Sequence, residues 1–139
     1  MNLPFTIGQF LDVFRNYNEA IWPAQIVAYI LGFSAVFGSL KLTAFSDRVI
    51  SAILAVFWVW EGAMYHMVFF SSINRAAWLF GALFILQGIL FFVVGVVRNG
   101  LTFRFKTDVY GLTGAFFILY AMVIYPIIGS ILGHGYPYA

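Results

Sequence analysis

Trp58-Val59-Trp60-Glu61-Gly62-Ala63-Met64-Tyr65-His66 places one acid and one of the two histidines inside the apolar run 49–70. As a helix, a run of that length crosses the roughly 30 Å hydrocarbon layer of a bilayer, so it reads as a membrane span. An ionised carboxylate at its centre costs about 2.5–3.5 kcal/mol on insertion scales. Glu61 is therefore either a functional group or a carboxyl that glues helices together.

The composition around this stretch agrees with a membrane setting. Of 139 residues, 63% are hydrophobic and 9% charged, whereas soluble domains carry about 25% charged residues. The net charge of +2 comes from basic residues scattered over loops, which excludes a nucleic-acid-binding stripe. With no cysteine, disulfides, thiolate metal sites and cysteine nucleophiles are all excluded, and the redox compartment stays open. Met1-Asn2-Leu3-Pro4 lacks the basic region and cleavage site of a signal peptide, so the first hydrophobic segment is expected to stay in the mature protein.

Upstream of the opening stretch, 41–48 is a short loop that makes the spans on either side antiparallel neighbours. The first span covers about 21–40, with Trp22 at the interface and Pro23 in the first turn. Ala24, Ala28 and Gly32 repeat every four residues and mark a face for close helix approach. Before it, 6–20 reads as a short amphipathic helix with Ile7, Phe10, Leu11, Phe14 and Tyr17 at helical spacing. Thr6 and Gln9 fit a capping box. Too short to span, this helix is expected to lie along the membrane surface with its phenylalanines in the acyl boundary.

Downstream, Ser71-Ser72-Ile73-Asn74-Arg75 turns the chain, and a third span covers about 76–97. Its Gly81, Gly88 and Gly95 fall at intervals of seven and form a seam for a close neighbour. Residues 98–108 alternate apolar and polar, as an extended segment or short hairpin does. A fourth span covers about 109–132, where Pro126 is expected to kink the helix and free the carbonyl of Met122. The loops between spans one and two and between three and four hold five basic residues, against two on the other side, Arg15 and Arg75. That imbalance puts those loops in the cytoplasm and both termini outside.

Comparing depths at about 1.5 Å per residue puts Glu61, Gln87 and Tyr120 at one mid-membrane level, where a hydrogen-bonded polar layer is expected. Gln25, Tyr29, Tyr65, His66, Tyr125 and His134 form a second, outer belt. On an ideal helix Glu61 and His66 point about 140° apart, which argues against an acid–histidine pair. His66 and His134 lie on the same side and offer a weak haem- or pigment-ligand signal. No catalytic constellation emerges, since metal hydrolysis wants three converging ligands and neither a nucleophile elbow nor a phosphate loop is present.

Three groups of residues carry a family likeness. The first is Leu3-Pro4-Phe5-Thr6 with Gln9-Phe10, Tyr17-Asn18 and Trp22-Pro23. The second is Tyr65-His66 with Phe69-Phe70-Ser71 and Ile73-Asn74, and the third Tyr125-Pro126 with Gly133-His134-Gly135-Tyr136-Pro137. Over nearly its whole length the chain resembles an uncharacterised bacterial integral-membrane family, domain of unknown function 6064. The resemblance implies a multi-pass membrane protein with no assigned activity. It also implies further hydrophobic segments beyond the point where this chain stops.

The expected fold is an all-α membrane protein of the bacterial inner membrane, with four transmembrane helices (21–139) in an antiparallel bundle after an amphipathic interfacial helix (1–20). The expected function is non-enzymatic: an accessory or structural subunit of a homo-oligomer or larger membrane complex, with membrane lipid and other membrane chains as partners. Two alternatives stand beside it, a small transporter or channel using Glu61 as its protonatable site, and a haem- or pigment-binding electron-transfer subunit using His66 or His134.

Overall fold

A computed structural model describes residues 4–41 and 43–138. The first three residues of the expected N-terminal region, Leu42 in the loop 41–48 and the final Ala139 lie outside the described residues. Five helices follow one another: α1 (Ile7–Ile21), α2 (Ala24–Leu40), α3 (Ser46–Ser72), α4 (Ala77–Val97) and α5 (Val109–Ile131). Among the described residues there is no strand. Three helices, α3, α4 and α5, are long and apolar enough to cross a membrane, and α1 with α2 makes a fourth candidate bent by 88°.

Local sequence explains the helix ends. The Thr6 hydroxyl accepts from Gln9 N–H at 3.2 Å, and the Gln9 side chain accepts from Thr6 N–H at 2.8 Å. This capping box satisfies two donors that a helix start leaves orphaned. Trp22-Pro23 then separates α1 from α2, because a proline disfavours helical geometry in the residue before it. Asp108 accepts from Gly111 N–H at 2.8 Å and caps α5.

Each long helix contains a wider π segment: Glu61–Phe69 in α3, Phe91–Val97 in α4 and Tyr120–Ile124 in α5. In α5 the π turn meets the expected proline kink. Tyr125 N–H bonds to the Tyr120 carbonyl five residues back, so the register has already slipped before Pro126. Pro126 then occupies the first turn of the α-segment Tyr125–Ile131, where its missing N–H costs little, and the chain stays helical through it.

Glycine sets the spacing between α3 and α4. A Cβ on Gly62 would stand 2.7 Å from the Gly81 carbonyl oxygen, and one on Gly81 would stand 2.7 Å from that of Gly62. A Cβ on Gly88 would meet Val59 at 2.6 Å and the Ala55 carbonyl at 2.9 Å, and one on Gly95 would collide with the side chain of Ser51. The heptad of glycines on α4 thus faces α3 in backbone contact, where dispersion over well-packed atoms replaces side-chain interdigitation.

The helices form an open row rather than a closed bundle. α3 packs between α2 and α4, and α1 crosses the π segment of α3. α5 lies beyond α2, where Gly32 takes the Met122 side chain, and makes no extended contact with α4. None of its apolar window is buried. The segment before α5 is extended but forms no hairpin. Its Phe103 N–H donates to Asp47 Oδ1 at 2.8 Å and its Phe105 N–H to the Ser39 carbonyl at 3.2 Å, so it pairs with helix ends instead of another strand.

α1 also packs against protein. Phe10 packs edge-on to Phe70 (5.9 Å) and Phe14 stacks on Tyr65 (5.4 Å), so these rings meet α3. Val13 and Tyr17 are buried on the same face. Burial against protein rings wins because the apolar stripe of α1 fits the aromatic end of α3.

Two outcomes check these packings. Gly62→Ala lowers stability in a detergent unfolding titration by about 1–3 kcal/mol, the usual cost of overpacking, while Gly114→Ala, with nothing within 4 Å of the added carbon, leaves it unchanged or slightly raised. Asp47→Ala removes the acceptor of Phe103 N–H and speeds hydrogen exchange at that amide; unchanged exchange would show that the contact does not hold the segment.

Candidate functional site

Glu61 opens the π segment of α3, one residue before the glycine that touches α4. With Gly62 pressed on α4, the carboxyl at 61 is turned to the other side of α3, where α1 crosses. There the Tyr17 hydroxyl donates to Glu61 Oε1 at 3.1 Å, and Trp60 Nε1–H donates to the Tyr17 hydroxyl at 3.0 Å. Both donors point the same way along this chain, toward the carboxyl, so each bond polarises the next. Among the described residues no basic side chain lies within ion-pair distance of Glu61.

The chain borders a cleft of about 450 Å³ between α1, α2 and α3, lined by Tyr17, Gln25, Ala28, Phe57, Trp60 and Glu61 among others. Ala24 and Ala28 line the cleft, where their small side chains leave room in it. Gly32, the third member of that stripe, takes Met122 of α5 at 3.3 Å from where its Cβ would be.

Gln25 closes one side of the cleft. Its Nε2–H donates to the Asn18 carbonyl at 2.7 Å, which fixes the orientation of the amide. Its Oε1 is buried and has no hydrogen-bond donor among the described residues. Asn18 in turn donates Nδ2–H to the Pro137 carbonyl at 2.8 Å, and Arg15 donates to the Tyr138 hydroxyl at 3.4 Å, so the tail after α5 is fastened to α1. On the far side of Gln25 and Tyr29 a second cleft, about 660 Å³, opens between α2 and α5 beside Trp22, Tyr125 and Tyr136.

The expected mid-membrane layer is not assembled. No hydrogen bond joins Gln87 or Tyr120 to Glu61 among the described residues. Gln87 is carried by α4, on the other side of α3 from α1. Tyr120 sits on α5, beyond α2, 41% exposed and stacked on Phe116 at 6.3 Å. Equal depth does not make neighbours when the helices stand in a row.

The outer belt separates into parts. Gln25 and Tyr29 line both clefts, and Tyr125 joins them in the second. Tyr65 packs edge-on to Tyr17 at 5.4 Å. His66 is held against α4, with Phe84 at 4.5 Å and Phe80 at 6.1 Å, and its Nδ1 is buried without a partner. Five-residue spacing falls closer to one face in a π-helix than in an α-helix. Even so, Glu61 contacts α1 and His66 contacts α4. His134 is exposed beyond α5, its backbone N–H bonded to the Gly129 carbonyl at 2.8 Å. Neither histidine lines either of these two clefts, and His66 lies against α4 whereas His134 follows α5. Among the described residues no three His, Cys, Asp or Glu side chains converge to hold a metal.

Tyr17, Trp60 and Asn18 are the site residues that sequence reasoning passed over. Tyr17 carried a signal, being the one hydroxyl on the apolar stripe of α1, but nothing local says that this stripe meets Glu61, 44 residues later.

No curated protein and no solved structure matches the chain. A family model does, over residues 7–139. This span holds both clefts and every side chain of the Glu61 site, and over it the chain belongs to DUF6064, a family of unknown function.

Proposed function

We propose that the protein is a four-span integral protein of the bacterial inner membrane that exchanges a proton or another cation at Glu61. In this reading α1 lies along the outer interface, both termini are outside, and lipid covers the apolar outer faces of α2 to α5. The hydrogen-bonded chain Trp60–Tyr17–Glu61 carries the proposal. An ionised carboxylate in an apolar cleft is costly without a countercharge, and no basic side chain supplies one. Two aligned donors make ionisation accessible but do not neutralise it. Glu61 therefore alternates between holding a proton and holding a cation, which is the minimum chemistry of a coupled transporter.

Glue between helices explains less. A carboxyl retained only for packing needs one partner, whereas Glu61 stands at the wall of a cleft that packing has left open. The exposed face of α5, with none of its apolar window buried, favours a second reading in which this helix docks the protein into a homo-oligomer or a larger membrane complex. The two are compatible, because α5 and Glu61 lie on different helices separated by α2.

Proteoliposomes loaded with a pH-sensitive dye and with sodium and potassium ions as exchangeable cations test the first reading. After an external acid pulse the wild-type protein acidifies the lumen, and Glu61→Gln, which keeps an acceptor for Tyr17 but cannot ionise, removes most of the protein-dependent rate. An equal rate in the variant takes Glu61 out of the mechanism. For the second reading, light scattering in mild detergent is expected to give a mass above one chain; a monomer with no copurifying chain rejects it.

A further inference from the structure

The end of the molecule where α2 and α4 finish and α3 and α5 begin is strongly basic. Lys41, Arg48, Arg98, Arg104 and Lys106 lie there with two acids, Asp47 and Asp108, a formal excess of three positive charges. At the other end Arg15 and Arg75 are balanced by Asp12 and Glu19. Both acids of the basic end serve the backbone: Asp47 Oδ1 accepts from Phe103 N–H and Asp108 Oδ1 from Gly111 N–H, each at 2.8 Å. Among the described residues none of the five bases has an ion pair, and all five are exposed.

Two of the five border a cleft. Residues of the segment before α5, Arg104 and Lys106 among them, and of the first turn of α5 line an opening of about 750 Å³. Asp108 borders it too, which leaves the two cations in excess by one. The segment is tied down at three points: Phe103 N–H on Asp47, Phe105 N–H on the Ser39 carbonyl, and the backbone of Lys106 against Gly111, where an added Cβ would collide with the Lys106 carbonyl. Charge carried on backbone held in this way binds without the ordering cost of a free loop. Membrane topology accounts for bases at this end. It does not account for a cleft, or for backbone ties that set two of them on it.

An arginine fork matches the oxygens of a phosphate, and a lysine adds a point charge. The neighbouring surface selects the source of that phosphate. Val109, Tyr110 and Leu112 at the start of α5 are 77%, 89% and 56% exposed, and none of the apolar window of α5 is buried. A free phosphate uses none of this surface, whereas the acyl chains of a lipid cover it.

We infer that this cleft binds the headgroup of an anionic phospholipid, with Arg104 and Lys106 attracting its phosphate and the exposed face of α5 taking its acyl chains. The inference rests on the membrane-spanning reading and is independent of exchange at Glu61.

Native mass spectrometry of the protein in a non-ionic detergent, titrated with dioleoylphosphatidylglycerol or dioleoylphosphatidylcholine, counts bound lipid. The phosphatidylglycerol is expected to bind saturably and at least about tenfold more tightly, since each basic residue near an anionic headgroup is worth roughly fivefold. Arg104→Gln combined with Lys106→Gln should remove most of that preference. Lys41→Gln combined with Arg48→Gln takes the same charge from the same end but not from the cleft, and should keep it. Millimolar inorganic phosphate should not displace the lipid.

Equal affinity for the two lipids in the unaltered protein overturns the inference, whether or not any variant folds. Equal losses in the two double variants assign the binding to general surface charge and overturn the site. Displacement by phosphate makes the occupant a free anion and overturns the lipid. Release of the protein from membranes by alkaline carbonate, measured separately, overturns the membrane-spanning reading beneath it.

Discussion

The backbone contact between Gly62 and Gly81 sets the position of most of what surrounds it. With each glycine's absent Cβ only 2.7 Å from the other's carbonyl oxygen, α3 and α4 meet in backbone contact. That contact fixes the rotation of α3 at the residue after Glu61, so the acid turns toward α1 and His66 is left among the rings of α4. A side chain at position 62 would push the helices apart and free α3 to rotate. The polar chain on one face of α3 thus depends on the absence of a methyl group on another.

The second constraint is that buried polar groups need partners. Around the cleft the demand is met by short relays: Trp60 to Tyr17 to Glu61 on one side, Gln25 to Asn18 and Asn18 to Pro137 on the other. Tyr17 and Asn18 are consecutive in α1, so one helix serves both relays. The tail after α5 holds Asn18 and Arg15, which ties the position of Tyr17 to residues more than a hundred positions away. Among the described residues these relays leave Gln25 Oε1 buried without a donor.

Much of this architecture was legible in the sequence, because its signals are local. Apolar runs separated by polar turns mark α2 to α5, the Thr6–Gln9 spacing marks the start of α1, and the glycines of α4 sit where the chain needs none of its own side chains. The site was legible only in part. Glu61 stood out by its cost, but its partner did not, since Tyr17 on an amphipathic stripe is equally suited to lipid and to protein. The layer of Glu61, Gln87 and Tyr120 failed for a different reason. Hydropathy reports depth along a helix and says nothing about the order of helices in the plane, and α5 went to the outer side of α2.

That placement of α5 also explains why two clefts exist. A closed bundle would have filled the space beside α2 with side chains from α5, and the stripe of Ala24, Ala28 and Gly32 would have met a neighbour along its length. Gly32 has such a neighbour, where Met122 reaches it. At the N-terminal end of α2, α1 leaves at 88° and carries Tyr17 and Asn18 across the gap, so the small side chains at 24 and 28 border open volume. Small residues in a membrane helix usually serve close packing. Here the same stripe does that at one end and leaves an opening at the other, and the carboxyl of Glu61 stands at the opening.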